Sequence, residues 1–252
     1  MSGFLRDNKA MQTIRARVAF HSRQHGFDKC MKQILGGTQP RIPASQIANL
    51  YAYWGDPLRP SDENYLRSCL TQVNASKGPI LQCGAGLMTL LLGAACQRKE
   101  ENPNQIWCLE HDRHWANLIR SWLTEYQIPN THVIHSPAKL FKDCSWYSVD
   151  TARLAKIYSM VICEGTRATP KGCIGALTRV QNRLSDEFVV LAKQVTQSAD
   201  LKFLNSWAKN QGASFVIVDK LDGLIKIARG NPEAASLDLP ELKTPQRALK
   251  TQ

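Results

Sequence analysis

Two hydrophobic patterns alternate along the middle of the chain. Short apolar runs, typical of buried strands, are each followed by a stretch whose apolar residues recur every three or four positions, as on one face of a helix. The predicted strands are Pro79–Cys83, Ile106–Glu110, His132–His135, Ile157–Cys163 and Phe188–Ala192. The predicted helices run from about Leu87 to Gln97, Arg113 to Tyr126, Cys173 to Leu184 and Leu201 to Asn210. A loop is expected between the third and fourth strands.

The pattern changes near the end of the chain. Ser214–Asp219 and Leu224–Arg229 are two strand-like runs joined through Leu221-Asp222-Gly223. Asp-Gly between apolar runs is a strong hairpin signal. The preceding strands alternate with helices, which predicts a parallel sheet covered on both faces. The sequence therefore predicts an α/β fold with a doubly wound, mostly parallel seven-stranded sheet that ends in a C-terminal antiparallel hairpin.

The start of the chain predicts a helical extension. From Phe4 to Ile34 apolar residues recur at helical spacing among basic ones, so we expect one or two amphipathic helices that end near Gly36-Gly37. Thr38–Pro43 contains two prolines and cannot continue a helix. We place the boundary of the extension there. Met1–Lys32 is basic, a composition loosely like that of an organelle transit peptide, although a basic helix is the simpler interpretation.

Two further segments complete the predicted organisation. Tyr51–Pro57 predicts an aromatic loop, and Ser61 is expected to cap a helix that runs to about Val73. The polar segment beyond Gly230, with its three prolines, predicts a flexible tail. The expected division is residues 1–43 as extension, 44–230 as the main domain and 231–252 as tail.

Composition sets the expected compartment. No run approaches the ~18 consecutive apolar residues of a membrane helix, and the start has no apolar signal-peptide core. The chain's 8 cysteines are scattered without a C-x-x-C pair, which argues against a zinc site and a disulfide framework. We therefore expect a soluble, cytoplasmic protein with reduced thiols and no membrane partner.

The net charge of +11 favours an anionic partner, nucleic acid included, without naming a function.

One strand-to-helix turn could carry chemistry. Gln82-Cys83-Gly84-Ala85-Gly86 follows the first predicted strand and opens a helix. Glycines there let the chain turn sharply and bring its backbone N–H groups close to a ligand, although many tight turns contain a G-x-G.

The second strand ends in Glu110, where an acid accepts hydrogen bonds from ribose hydroxyls in nucleotide-binding sheets. Glu110 lies beyond the usual ~20 residues, and a longer surface loop after Gln97 accounts for the difference. A solvated strand-end glutamate is the alternative.

These segments together resemble the class I S-adenosylmethionine-dependent methyltransferases, over about Tyr51 to Arg229. The matching pieces are the glycine turn with Thr89, Glu110-His111-Asp112, Ser136-Pro137-Ala138, Glu164-Gly165 and the terminal hairpin. The resemblance implies a Rossmann-like fold with S-adenosylmethionine as cofactor. The residues it implies for cofactor binding are Gln82, Gly84, Ala85, Gly86, Thr89, Glu110, His111, Ser136, Pro137 and Glu164. Among them the glycines would lie beneath the methionine and ribose portions, Glu110 would hold the ribose, and Ser136–Ala138 would border the adenine.

The sequence departs from that family in two places. Gln82 stands where the glycine motif usually begins with an acid, so its contact to the amino-acid end of the cofactor would be neutral. Ala192-Lys193 stand where related bacterial enzymes have two adjacent acids after strand five. Without that pair a divalent metal has too few hard oxygen ligands, so we predict no magnesium.

Methyl transfer asks little of side chains beyond alignment and removal of a proton. Glu164 is the best-placed candidate base, since it would face the crevice from the end of a central strand; a cofactor or loop contact is the alternative. Lys193 could act as a base only if burial favoured its neutral form, and would otherwise bind an anionic acceptor. His135 is expected to be structural. Tyr51, Tyr53 and Trp54 could stack on a ligand or simply anchor the predicted loop.

Three functional hypotheses follow. The first is a methyltransferase that acts on an oxygen or nitrogen of an unidentified acceptor. Cys163-Glu164-Gly165-Thr166 lacks the Asn/Asp-Pro-Pro-aromatic tetrad, which disfavours exocyclic amines of nucleic acid, and Cys163 lacks the setting of a nucleophile. The second is a catalytically degenerate fold that binds nucleic acid or protein. A dinucleotide-dependent oxidoreductase is disfavoured by Thr89 in place of a third glycine and by the hairpin.

Overall fold

A computed structural model describes residues 23–39, 41–55, 60–98, 103–141, 144–164 and 172–230. The transit peptide or basic helix predicted over Met1–Lys32 lies largely outside these ranges, including its start near Phe4. The predicted flexible tail beyond residue 230 lies wholly outside them. The helices are α1 (residues 23–35), α2 (Ala44–Trp54), α3 (Pro60–Ala75), α4 (Leu87–Gln97), α5 (Arg113–Glu125), α6 (Gly172–Val180) and α7 (Ser198–Asn210). The strands are β1 (Ile80–Cys83), β2 (Ile106–Glu110), β3 (Thr131–His135), β4 (Ala138–Phe141), β5 (Cys144–Tyr147), β6 (Tyr158–Cys163), β7 (Leu184–Ala192), β8 (Ser214–Asp219) and β9 (Leu224–Arg229).

A seven-stranded sheet in the order β3-β2-β1-β6-β7-β9-β8 forms the centre of the fold. The β1–β2, β2–β3, β1–β6 and β6–β7 pairs are parallel, while β9 is antiparallel to both β7 and β8. The predicted fold class, a mostly parallel Rossmann-like sheet with a terminal antiparallel hairpin, is therefore confirmed. The chain moves outward from β1 through β2 to β3 and then returns to β6. This reversal places a topological switch point between β1 and β6.

Two apolar layers cover the sheet. On one side, α1 to α5 pack against alternate strand residues such as Ile80 and Ile162. On the other side, α6, α7 and the β4–β5 pair pack against Leu81 and Val161. The described part of the N-terminal extension belongs to the first layer, because Phe27 and Ile34 of α1 are buried in it. The division of the chain at residue 43 stays a prediction.

The predicted aromatic loop over Tyr51–Pro57 is wrong for its first residues. Residues 51–54 are the last turn of α2, and Gly55 ends that helix in a left-handed conformation, with φ 93°. Ile47 and Leu50 are buried at helical spacing with Trp54, so the apolar stripe of a helix extends into the aromatic run. Gly55, which indicated a loop, marks instead where the helix stops, and the last two residues of the predicted loop lie outside the described ranges.

The segment between β3 and β6 is not the loop that the pattern predicted. Residues 138–141 and 144–147 form an antiparallel pair, β4 and β5, in which Ala138 pairs with Tyr147. Much of β4 is exposed, so it lacks the alternation of apolar and polar residues that reveals a half-buried strand. Trp146 and Tyr147 of β5 are buried against the layer that includes α6.

The helix predicted from Cys173 to Leu184 is too long. It ends at Val180, a 3-10 turn follows over Gln181–Arg183, and β7 begins at Leu184 rather than at Phe188. The first half of β7 is polar and largely exposed, which hid it from a hydrophobic pattern. Its start is fixed instead by backbone pairing of Leu184 with Tyr158.

No helix in the described ranges has both the length and the apolar run that crossing a membrane requires. All eight cysteines lie within those ranges and are free thiols, seven of them buried.

We expect Gly93→Ala to destabilise the fold by about 1–3 kcal/mol, because overpacking a buried helix face forces its neighbours to move. A Cβ at Gly93 would lie 2.6 Å from Ile128 Cγ2 and 2.7 Å from Thr131 Oγ1. Urea unfolding measures the loss. Gly86→Ala is the control, since a Cβ there would meet nothing within 4 Å. Equal stability of the two variants would contradict the packing described for α4.

Candidate functional site

The carboxyl ends of the parallel strands bring the candidate residues to one edge of the sheet. Gly84 follows β1, Glu110 ends β2, Ser136 follows β3, Glu164 follows β6 and Lys193 follows β7. Ligands of open α/β sheets bind at this edge, beside the switch point. The structure therefore gathers the predicted cofactor and acceptor residues around one crevice.

The glycine turn has a backbone conformation and hydrogen bonds that leave space beside its main chain. Gly84 has φ +99°, a conformation that residues with a Cβ rarely adopt, and its N–H donates to the carbonyl of Leu109 at 2.9 Å. The N–H of Gly86 donates to Thr89 Oγ1 at 2.9 Å, so the buried Thr89 hydroxyl caps the start of α4. Open space surrounds the position where a side chain at Gly86 would begin. The turn can thus admit a ligand close to its backbone.

Glu110 joins the glycine turn to the second strand. Its Oε2 accepts the N–H of Ala85 at 2.9 Å and its Oε1 accepts the N–H of Asp112 at 2.8 Å, while His111 Nδ1 lies 2.9 Å from Oε1. Only 3% of the residue is exposed. A carboxylate offers about four lone-pair sites, so Oε2, which accepts only the Ala85 N–H, keeps capacity for a further donor such as a hydroxyl.

Trp115 supports the same turn from α5. Its indole Nε1–H donates to the carbonyl of Ala85 at 2.8 Å, and its ring meets Trp54 edge-on at 5.9 Å. Trp54 also packs on Phe27 and Trp122, at ring distances of 5.7 and 5.1 Å. The aromatic residues that could have stacked on a ligand are therefore partly used in the core, where they link α1, α2 and α5 to the glycine turn.

Several buried polar atoms near the carboxyl ends of the strands have no hydrogen-bond partner among the described residues. They include Oε1 of Gln82 on β1 and Oγ of Ser136, whose backbone N–H donates to the carbonyl of Glu110 at 2.7 Å. Pro137, the next residue, is exposed. A buried polar group that lacks a partner costs free energy, so such atoms at a ligand site point to groups that the ligand supplies. Together with Glu110, they fit a polar ligand that both donates and accepts hydrogen bonds.

A charged cluster occupies the ends of β6 and β7. The ammonium of Lys193, 9% exposed, forms an ion pair with Asp62 of α3. The backbone N–H of Lys193 donates to the carbonyl of Cys163 at 3.0 Å, which sets Lys193 beside Glu164. Because its side chain is already engaged with the Asp62 carboxylate, the geometry supports Lys193 as a binding group more than as a base.

Two side chains in this cluster, Glu164 and Tyr65, have raised pKa values. Burial raises the pKa of Glu164 to about 7; the Lys193 ammonium opposes that rise and the Asp62 carboxylate adds to it. Tyr65, on α3, is buried, and the centre of its ring lies 5.5 Å from Lys193 Nζ. Burial, followed by the neighbouring Cys69 and Glu164, raises the pKa of Tyr65 well above its usual range. A carboxyl group with a pKa near neutrality is suited to proton transfer.

Sequence reasoning missed four residues that the structure brings to the crevice: Asp62, Tyr65, Trp115 and Tyr147. Asp62 and Tyr65 lie on a helix that precedes the sheet, and Tyr147 lies on the unpredicted strand β5. Only a spacing of three on one helix, between Asp62 and Tyr65, hinted that two of them share a face. The remaining contacts depend on long-range packing.

A separate cavity of about 850 Å³ lies beside the edge strand β3. Its lining includes Trp107, Arg120, His132 and Arg153, and no acidic residue. Trp107 and His132 lie in the first halves of their strands, away from the carboxyl ends that carry the crevice. Among the described residues, no group of three or more His, Cys, Asp or Glu side chains is arranged to hold a metal ion.

Comparison with known proteins finds likeness at the level of structure. A methyltransferase from Geobacter sulfurreducens is 11% identical, with 76% of this chain and 93% of that chain covered and a TM-score of 0.48. The precorrin-6y C5,15-methyltransferase of Geobacter metallireducens is 15% identical, with 69% and 91% covered and a TM-score of 0.47. Cofactor-bound Rv0187 from MTB is 14% identical, with 84% and 90% covered and a TM-score of 0.47. No protein-family model and no curated protein sequence matches the chain.

We expect Trp115→Phe to weaken binding of S-adenosylhomocysteine by about 5- to 10-fold, since one neutral hydrogen bond contributes ~1 kcal/mol and holds the turn in place. Isothermal titration calorimetry measures the change. Trp122→Phe is the matched control, because Trp122 lies on the same helix and in the same aromatic cluster. Equal affinities of the two variants would show that the Trp115–Ala85 bond does not shape the ligand site.

Proposed function

We propose that the chain is an S-adenosylmethionine-dependent methyltransferase that transfers a methyl group to an oxygen or nitrogen atom of an acceptor not yet identified. The observation that carries the proposal is the Glu110 carboxylate, which accepts a hydrogen bond from the glycine turn at the switch point of the sheet. The space next to Gly86 in that turn is open. This arrangement offers an acceptor for ribose hydroxyls and a turn that admits a ligand near its backbone.

Residues on both sides of the turn would hold the cofactor. Glu110 would accept the ribose hydroxyls, Gln82 would bind the amino-acid end through a neutral amide, and Ser136 with Pro137 would border the adenine. His111, 2.9 Å from Glu110 Oε1, would orient that carboxylate. The bound sulfonium supplies an already activated methyl group, so the protein has to align the acceptor with it and exclude water.

The charged cluster at the ends of β6 and β7 would serve the acceptor. In its ionised form Glu164 would take the proton from an O–H or N–H nucleophile as the S–C bond breaks and the new O–C or N–C bond forms. Lys193 would stabilise negative charge on the acceptor, which favours an anionic substrate. Glu164 would also lie close to the cofactor, since its N–H approaches the carbonyl of Cys83 at 3.5 Å.

A cytoplasmic location also belongs to this proposal. The eight cysteines are free and mostly buried, which suits a reducing compartment.

We expect the wild-type protein to bind S-adenosylmethionine and S-adenosylhomocysteine, and Glu110→Gln to lose at least 10-fold in affinity. Glutamine keeps the size of the side chain but replaces one charged acceptor of ribose hydroxyls by an amide. Calorimetric titration gives both affinities, with NAD as the competing ligand class. Preferential binding of NAD, or no binding of either sulfur compound, would overturn the methyltransferase proposal.

The elevated pKa of Glu164 makes a prediction that needs no acceptor. The folded-state pKa of about 7 lies above the ordinary value of 4.5, so the stability that the protonated carboxyl provides is full below about pH 4.5 and is lost as pH rises through 7. We therefore expect Glu164→Gln to gain stability relative to wild type between pH 5 and pH 8.

Chemical denaturation at pH 5 and pH 8 measures this difference. Glu63→Gln is the control, because 39% of the Glu63 side chain is exposed and it removes the same formal charge. If the curves for wild type and Glu164→Gln ran parallel with pH, Glu164 would not be the carboxyl of raised pKa that the proposed base requires.

A second candidate is a catalytically degenerate fold that binds nucleic acid. It is favoured by the cavity beside β3, whose charged lining residues are Arg120 and Arg153, and by the engagement of Lys193 with Asp62. We would test it by fluorescence anisotropy with single-stranded RNA. Binding that weakens in Arg153→Gln, in a protein that binds neither sulfur compound, would favour this function over the first.

A further inference from the structure

Tyr147 approaches the glycine turn from outside the main sheet. It is the last residue of β5, and its hydroxyl lies 4.0 Å from the position that a Cβ on Gly84 would occupy. Only 2% of the residue is exposed, and its ring packs edge-on against Trp146 at 5.1 Å. Next to it, the Ser148 N–H donates to the carbonyl of Pro137 at 2.8 Å. The β4–β5 pair therefore delivers one phenol to the edge of the crevice.

The hydroxyl of Tyr147 has no hydrogen-bond partner within the described ranges. A buried hydroxyl without a partner is destabilising, and most such groups in folded proteins are bonded. The ligand of the crevice is the partner that would complete the bonding of this group.

The surroundings of Tyr147 restrict what that partner can be. Burial, and after it the neighbouring Cys83, Cys108 and Glu110, raise the pKa of the phenol far above its usual range, so it stays protonated and can donate. The Glu110 side chain, which takes the N–H groups of Ala85 and Asp112, serves as an acceptor. A phenol that donates and a carboxyl that accepts, both at the glycine turn, complement a vicinal diol, in which one hydroxyl donates to Glu110 while an oxygen accepts from Tyr147.

We propose that Tyr147 is a further ligand-binding residue, whose hydroxyl donates a hydrogen bond to the ribose of the nucleoside held over the Gly84 turn. The inference rests on the proposed function and adds to it a contact from the β4–β5 pair, which the sequence motifs did not include. It also assigns a purpose to an otherwise costly buried hydroxyl.

The test is Tyr147→Phe, which removes only the hydroxyl. Because that hydroxyl lacks a partner in the ligand-free chain, we expect the melting temperature without ligand to rise by ~2–4 °C. Because the ligand supplies the partner, we expect the Kd for S-adenosylhomocysteine to increase by about 5- to 15-fold. A hydroxyl that merely supports the fold would lower the melting temperature when removed and leave the Kd unchanged.

Tyr158→Phe is the matched control. Its hydroxyl is also buried but accepts the N–H of Ala155 at 3.0 Å, and it lies at the opposite end of β6 from the crevice. Here we expect a lower melting temperature and an unaltered Kd.

Adenosine distinguishes the ribose from the amino-acid end of the ligand. A similar loss of affinity for adenosine and for S-adenosylhomocysteine in Tyr147→Phe supports the ribose contact. A loss confined to S-adenosylhomocysteine overturns it in favour of the amino-acid end. If wild type binds both compounds and Tyr147→Phe binds them equally well, this inference alone fails. If wild type binds neither, the proposed function fails and the inference falls with it.

Discussion

The position of Glu110 depends on the register of the central strands, and the rest of the crevice depends on Glu110. Parallel pairing of Cys83 with Leu109 brings the end of β2 level with the glycine turn. The carboxylate can then accept N–H groups from Ala85 and Asp112, one on each side of the crevice. A slip of one residue would point this side chain to the opposite face of the sheet and leave both N–H groups without their acceptor. The main-chain geometry of the sheet thus fixes the chemistry of its edge.

The crevice divides into two parts with different electrostatics. Around the glycine turn the groups without partners are neutral, namely the Gln82 amide and the Ser136 and Tyr147 hydroxyls, with Glu110 as the charged acceptor. Beyond the switch point, Glu164, Lys193 and Asp62 place charges close together. Neutral donors and acceptors recognise a ligand without a large desolvation cost, whereas neighbouring charges shift protonation. This division agrees with one part that holds a ligand and another in which a proton moves.

The sequence was informative where physical signals are local. The strands with continuous apolar runs, the glycine turn, Glu110 at the end of β2 and the Asp-Gly hairpin all follow from patterns within a few residues, and each lies where it was expected. The β4–β5 pair and the polar half of β7 were missed because their exposed residues carry no periodic signal. Asp62 meets Lys193 across 131 positions of the chain, a contact that only the packed fold creates. Local pattern thus predicted the frame of the site, and tertiary packing supplied the side chains that complete it.

The β4–β5 pair also bears on how quickly a ligand can enter or leave. It is a two-stranded sheet with no ladder to the seven-stranded one in the described chain, and its buried side rests mainly on α6. Two-stranded sheets are marginal by themselves, and weakly anchored elements open more often than central strands. Since Tyr147 lies against one side of the glycine turn, opening of the β4–β5 pair would give a ligand a path to and from that turn. We would then expect the residence time of a ligand to follow the opening rate of the β4–β5 pair more than the strength of any single contact.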